Sequence, residues 1–450
     1  MNRSHNAKHF RIWQQNVAKS SAAQHDVLAK ANPKDWDIIA LQEPYLDHFG
    51  RTRANPHWTV LYPSNKNLEN QKRIRSILLI STNIDSSQIQ QINIQSSDIT
   101  AVQINANSRS LLLFNIYNDN TNNNTIETIA NEWETHEQVW TAKPSTEILL
   151  LGDFNRHHST WEARHNDHLT SPDRLLNPLL DLIVNMRLEM ALPRNIPMLE
   201  ARNTGNWTRP DNVWRCSDSP SPFISCNVKP ELRPAITDHL PIVSVIDLTY
   251  TPCRRPERFN YKTVDWDAYN TRLVTEINET AVALANPIDT IEKLEQATDQ
   301  LFEAIDRTTR EVATPLKITP YTKRWWTKEL SSLRTNRNRA SAEHYKWRGL
   351  PEHPSHAEYR KINADFARAI ESTKATHWKE WIEHASGADV WSIHKYMKAN
   401  PTDYGRQRIP DLKLPDGTTA TSNETKARGL AATFFPPERP LNWDEHTFEE

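Results

Sequence analysis

The sequence predicts an α/β domain followed by a mostly α-helical region, and two observations carry that expectation. Over residues 8 to about 250, short apolar runs alternate with stretches of helical periodicity, a mixture that favours helices covering packed sheets. Beyond the connector Tyr250-Thr251-Pro252-Cys253-Arg254-Arg255-Pro256, strand-like runs give way to apolar residues at steps of three and four.

In chain order, strands are expected at Phe10–Val17, Asp37–Leu41, Ser76–Ser81, Ile99–Asn105, Leu111–Tyr117, Glu147–Leu151, Val213–Cys216, Phe223–Val228 and Ile242–Leu248. Each is an apolar run of strand length closed by a turn former or a polar residue. Helices are expected at Ala22–Ala31, Thr125–Thr141 and Leu175–Met186, with Asn118 to Asn124 forming a surface loop. In the second half, Ile291, Leu294, Leu301 and Ile305 share one helical face, as do Tyr359, Ile362, Phe366 and Ile370. The expected domains are 1–250, a linker at 251–262, a helical region at 263–400, and a Pro/Gly-containing, partly disordered tail at 401–450.

Composition narrows the function. The net charge of −2 exerts no global pull on nucleic acid. Three cysteines (Cys216, Cys226, Cys253) are too few for a disulfide framework or a four-ligand zinc site. No apolar stretch approaches the roughly 18 residues that span a bilayer, and Met1-Asn2-Arg3-Ser4 opens no signal peptide. A soluble intracellular protein without a membrane partner is expected.

Chemistry gathers at strand ends. The run Ile148–Leu151 closes in Gly152-Asp153-Phe154-Asn155-Arg156-His157-His158, a carboxylate, an amide and two imidazoles where loops usually host active sites. The first strand closes in Gln15-Asn16-Val17, the second in Leu41-Gln42-Glu43-Pro44, and the strand from Leu111 delivers Tyr117. Ala235-Ile236-Thr237-Asp238-His239-Leu240-Pro241 sets an acid and an imidazole before the last strand. Taken singly, Asn16 reads as a turn former, Glu43 as a surface acid, Tyr117 as a core aromatic with a wet tip, and Asp238-His239 as loop. Their joint occurrence at strand ends of one domain points to a site. The pair His157-His158 lacks third and fourth ligands spaced for zinc; His158 with Trp161 is expected to brace the loop.

In this order, Asn16, Gln42-Glu43-Pro44, Asn115-Ile116-Tyr117-Asn118, Gly152-Asp153-Phe154-Asn155, Thr208-Arg209-Pro210-Asp211-Asn212-Val213 and Thr237-Asp238-His239-Leu240-Pro241 resemble the endonuclease/exonuclease/phosphatase superfamily. The likeness is to the apurinic-endonuclease-like domain of non-LTR (LINE-type) retrotransposons, of fungal type in the His157-His158-x-x-Trp161 extension. The resemblance implies a four-layer α/β sandwich of two packed sheets flanked by helices, and one Mg²⁺ site (Mn²⁺ as a substitute) that cleaves DNA to leave a 3′-hydroxyl nick. It implies Glu43 as principal metal ligand, with Asn16 and Asp238 beside it. Asp153 would position or deprotonate water, Asn155 hold the scissile phosphate, Asp211 orient His239, and Tyr117 contact the phosphate or leaving group. Asn118, Arg156, His157 and His158 would face DNA. Ala18 stands where many members carry an acid, and Met198 follows Pro197 where a threonine is common. Two other readings remain open: a phosphatase or phosphodiesterase of the same fold, and an inactive element remnant that only binds nucleic acid.

From Lys317 to Arg408 there are 18 Lys/Arg against 10 Asp/Glu, interleaved with Trp325, Trp326, Trp347, Trp378, Trp381 and Trp391. Such a stretch either neutralises phosphates, of DNA or of element RNA, or is an amphipathic helix with a solvated face. It resembles, more loosely, the segment preceding a retroelement reverse transcriptase (RNA-directed DNA polymerase). With no Tyr/Phe-x-Asp-Asp box, no DNA synthesis is expected, and action in the nucleus follows from the resemblance.

Overall fold

The computed structural model describes residues 8–66, 74–106, 109–142, 145–201, 203–216, 221–250, 259–283, 290–315 and 325–387, with parts of 403–434. Trp391, Lys317 and Arg408, named above, lie outside the described residues, as do 251–258 of the expected linker.

Two six-stranded sheets form the domain. The first contains β1 (Lys8–Asn16), β2 (Ile38–Gln42), β3 (Trp58–Leu61), β4 (Ser76–Ser81), β13 (Phe223–Val228) and β14 (Ile242–Tyr250) in the order β13-β14-β1-β2-β4-β3. The second contains β5 (Ile89–Ile92), β6 (Ile99–Asn105), β7 (Ser110–Tyr117), β8 (Thr146–Asp153), β9 (Leu188–Met190) and β12 (Asp211–Cys216) in the order β5-β6-β7-β8-β12-β9. A hairpin, β10 (Leu199–Glu200) with β11 (Trp207–Thr208), stands apart. Each large sheet is antiparallel except for one parallel pair, β1/β2 and β7/β8.

Apolar alternation explains the layers. Ile12, Ile38, Ala40, Leu78, Leu111, Leu113, Leu149, Leu151 and Ile242 fill the space between the sheets. Their sequence neighbours point outward: Trp13, Ile39, Leu41 and Leu79 pack beneath α1 (Ser21–Lys30). Leu112, Phe114, Ile148 and Leu150 pack against Ile126, Ile129 and Trp133 of α2 (Asn124–Thr141) and Leu176 and Leu179 of α3 (Asp173–Asn185). Burial on both faces makes these strands continuous apolar runs. The result is the expected four-layer sandwich.

Helices α4 (Trp266–Ala283) and α5 (Ile291–Val312) belong to a separate compact unit, 254–322. Its buried residues include Tyr269, Ala297, Ala304 and Thr308, with Tyr269 Oη 3.0 Å from Thr309 Oγ1. Ile291, Leu294 and Leu301, whose spacing suggested a buried face, are exposed there. Where composition suggested one helical region over 263–400, contacts divide it: α6 (Lys328–Lys346) and α7 (Ser355–Glu383) belong with the sandwich. Leu330, Phe366 and Ile370 cover Ala235. Arg337, fully buried, donates to the Pro234 carbonyl (2.5 Å), Ser341 Oγ to that of Pro230 (2.7 Å) and Tyr345 Oη to that of Pro197 (2.9 Å).

Candidate active site at the strand ends

The two parallel pairs end on the site. In the second sheet Tyr117 and Asp211 are the register partners of Asp153 on either side, so three neighbouring strands present a phenol and two carboxylates in a row. In the first sheet Asn16 lies opposite Gln42, and Glu43 follows at once. Parallel pairing brings both carboxyl ends to one edge, which spacing along the chain does not reveal.

An amide layer joins the sheets beneath this edge. Gln14 Nε2 donates to the Gly152 carbonyl (3.1 Å) and Gln42 Nε2 to Asn115 Oδ1 (2.5 Å). Asn115 Nδ2 donates to the carbonyls of Leu41 (3.0 Å) and Ile77 (2.8 Å). Buried amides are costly unless paired, and this pairing fixes the separation of the two sheets. Gly152 is required here: its φ is +145°, and a Cβ would stand 1.9 Å from the Ile116 carbonyl oxygen.

Asn16 Nδ2 crosses between sheets to donate to Asp153 Oδ2 (2.9 Å), while Asn16 Oδ1 accepts the Ala18 N–H (2.9 Å). The Asn155 N–H donates to Asp153 Oδ1 (3.0 Å). Asn155 (φ +50°) and Glu43 (φ +45°) both adopt left-handed backbone, a cost typical of functional turns. His239 arrives from the loop before β14, its N–H accepted by Thr237 Oγ1 (3.3 Å), and Thr237 Oγ1 in turn donates to the Asn16 carbonyl (2.9 Å). His239 Nδ1–H donates to Asp211 Oδ2 at 2.9 Å, and Asp153, Asp211 and His239 are all buried.

Burial and the Asp211 charge push the Asp153 carboxyl up to about 7, with His239 and the Asn16 amide pulling it down. Burial disfavours the His239 cation, but the charge and hydrogen bond of Asp211 prevail and raise its titration to about 9. Burial first, then the charges of Glu43 and Asp153, push the Tyr117 phenol upward, so it remains a proton donor. Arg75 stacks over the Tyr117 ring at 4.7 Å while pairing with Asp98 (2.6 Å) and Asp119 (2.5 Å).

Ligand atoms of Asp153, Asp211 and His239 lie within 4.8 Å of one another and could hold a metal. With its proton retained, however, His239 has no free nitrogen, so at neutral pH it acts as a hydrogen-bond donor. Asp211 Oδ1 is buried without a hydrogen-bond partner among the described residues, a carboxylate oxygen suited to a cation. Glu43 pairs with Lys19 (3.0 Å), and Asp238 sits half-buried beside His239, outside that cluster. The donors fit a hard divalent ion, which prefers oxygen.

Two residues expected at the DNA are elsewhere. Arg156 is fully buried and gives its guanidinium to the carbonyls of Leu175, Asp119, Asn155 and Asn122 and to Asn123 Oδ1 (2.7–3.0 Å). Asn118 is fully buried too, donating to the Phe154 carbonyl (2.8 Å) and accepting from Asn155 Nδ2 (2.8 Å). Both tie the 118–123 loop to the site, because loop carbonyls removed from water need donors. Half-buried His157 donates to the buried Glu162 (2.6 Å), and the His158 ring lies 5.2 Å from that of Trp161. Met198 is buried in the inter-sheet core. Gln14 and the Arg75 cluster carried no sequence signal beyond being polar residues beside apolar runs, whereas Gln42 and Arg209, the latter buried against the Leu192 and Pro193 carbonyls, stand inside the motifs read from the sequence without their contacts being legible there.

The chain is thus a two-sheet α/β sandwich with a buried Asp–Asp–His cluster at the edge where its two parallel strand pairs end. A family model described as the Endonuclease/Exonuclease/phosphatase family matches residues 4–239, just over half of the chain, and the chain belongs to that family. Its members are typically hydrolases of phosphodiester bonds and depend on a divalent metal. The chain is similar to the endonuclease domain of TRAS1, a telomere-specific non-LTR retrotransposon (17% identity, 54% of this chain and 99% of that one, TM-score 0.42). It is also similar to AP endonuclease LMAP from Leishmania major (12%, 55% and 89%, 0.43) and to the APE2 catalytic domain of Xenopus laevis (13%, 55% and 94%, 0.40). These distant likenesses carry no weight for the substrate. No curated protein matches.

Proposed function

We propose that this chain is a Mg²⁺-dependent DNA endonuclease that hydrolyses one phosphodiester and leaves a 3′-hydroxyl nick, the reaction by which LINE-type retroelements open their target. The observation carrying it is the juxtaposition of Asn16, Asp153, Asp211 and His239 from both sheets in one buried cluster. The ordered motifs of the LINE-type nuclease and the cationic stretch after Lys317 support DNA over a small phosphoester.

Asp153, raised toward neutrality, accepts the proton of the attacking water, as a base near the working pH should. His239, held protonated by Asp211, donates Nε2–H to a non-bridging phosphate oxygen as charge develops there. One hydrogen of the Asn155 amide is used by Asn118, leaving the second for the phosphate. Tyr117, protonated, gives a proton toward the departing 3′ oxygen. Glu43, with Asn16 and Asp238, would hold the cation. When bound, it supplies Lewis-acid stabilisation of the phosphoryl charge.

Supercoiled plasmid is the test. The full chain should nick it with Mg²⁺ and not with EDTA, and Asp153→Ala and His239→Ala should each abolish nicking. Folded protein that nicks at no metal concentration would sink the proposal. Phosphate release from inositol phosphates without nicking would transfer it to the phosphatase reading. A preference for Mn²⁺ would revise only the metal.

A further inference from the structure

A cleft of about 1240 Å³ lies between helices α6 and α7 and the nuclease sandwich, with Thr237 and Asp238 in its wall. These are the chain neighbours of His239, so the cleft adjoins the proposed reaction centre. Four cationic side chains line it (Arg233, Lys346, Arg348 and Arg360) against two carboxylates, Glu200 and Asp238. It is larger than the roughly 300–1,000 Å³ of a small-molecule pocket, and charged side chains stand in its wall.

The cations divide into two groups. Arg233 is buried and committed: it donates to Glu200 (2.8 Å), to the Thr237 carbonyl (3.0 Å) and to the Asp238 carbonyl (3.3 Å). Burial would raise the Glu200 carboxyl, but the His344 hydrogen bond and the Arg233 charge hold it down to about 2. Glu200 and Arg233 therefore neutralise each other and set the wall. On the helical side, Lys346, Arg348 and Arg360 carry no short ion pair among the described residues. Arg360 is exposed and makes no ion pair with a described residue. Lys346 meets Glu343 only at 3.7 Å with both side chains exposed, a pair of little worth in water. Arg348 lies over the Tyr345 ring at 4.3 Å and donates to the Tyr345 carbonyl (3.0 Å), with no carboxylate partner among the described residues. Three cations thus face a cleft beside the cleavage centre, anchored to the sandwich through buried Arg337 and His344 and half-buried Tyr345.

We propose that Lys346, Arg348 and Arg360 form a phosphate track that grips the DNA duplex flanking the scissile bond, making helices α6 and α7 part of the nuclease's substrate-binding surface. This rests on the DNA endonuclease reading above.

The test is the salt dependence of binding by the full chain to a short fluorescein-labelled DNA duplex in EDTA, where no cleavage occurs. Each neutralised phosphate adds about 0.9 to the slope of log affinity against log salt, so Lys346→Gln/Arg348→Gln/Arg360→Gln should lower the slope by about 2.7. In plasmid nicking the same variant should raise KM by a larger factor than it lowers kcat. The charge-retaining variant Lys346→Arg/Arg348→Lys/Arg360→Lys should keep the wild-type slope. An unchanged slope and KM in the neutral variant would overturn the track. So would a slope change seen with duplex RNA and not with DNA. Should the neutral triple fail to fold, Arg360→Gln alone should lose about 0.9 of slope, and no loss would refute the assignment. A wild-type chain that nicks nothing sinks the endonuclease reading, whereas wild-type nicking with an indifferent neutral variant sinks only this one.

Discussion

Substituting Gly152 by alanine tests how tightly the strand ends are held. The new Cβ would sit 1.9 Å from the Ile116 carbonyl oxygen, and clearing even 3.0 Å requires about 1.1 Å of retreat by backbone. That backbone belongs to β7, the register partner of β8, and Tyr117 and Asp153 are the next pair along. The strained φ alone costs about 1–3 kcal/mol. With the clash added, a total loss above roughly 3 kcal/mol is expected, among the large effects of single substitutions. Tm should fall by several degrees, the shift per kcal/mol being smaller for a unit of this size than for a small domain. A displacement near 1 Å at reacting groups costs on the order of 10²-fold in rate, so nicking should be nearly lost in protein that is still folded. Gly205→Ala is the control: its φ is also positive (+67°), yet nothing lies within 4 Å of its Cβ, so only about 1–2 kcal/mol of backbone cost applies. Urea denaturation with paired nicking assays measures both. A Gly152→Ala protein with the stability of Gly205→Ala and unimpaired nicking would refute the argument.

Further outcomes follow from the same geometry. Nicking should follow a bell-shaped pH profile, because Asp153 must be ionised, above about 7, and His239 protonated, below about 9. Asp211→Asn removes the charge that raises both, so both limbs should move to lower pH. NMR titration of His239 in metal-free protein should then give a midpoint well below 9, and an unmoved midpoint would exclude the Asp211–His239 pair as its cause. Arg156→Lys should destabilise the chain by on the order of 2–4 kcal/mol in urea, since one ammonium cannot replace the five hydrogen bonds of a buried guanidinium. If Arg156 instead met DNA, the substitution would leave stability unchanged and alter only the salt dependence of binding.

The sequence determined the sandwich because strands buried on both faces, such as Leu111–Ile116 and Ile148–Leu151, must be continuous apolar runs, and their polar endings then stand out. Asp153, His239 and Glu43 were legible as polar residues at strand ends, whereas Asp211 came only with the ordered motifs that carried the resemblance. Short edge strands such as Trp58–Leu61 and Leu188–Met190 gave too little pattern to read. Tertiary structure alone decided which polar residues meet. Arg156 and Asn118 lie next to catalytic motifs in sequence, yet they turn inward because buried loop carbonyls and amides need partners. Asn16 and Asp153 lie 137 residues apart, and only the packing of two sheets brings them to 2.9 Å. Helical periodicity likewise located Tyr359, Phe366 and Ile370, but not what they would cover. That depended on long-range packing that placed α6 and α7 against the loop bearing His239, because an apolar stripe specifies burial without specifying its partner.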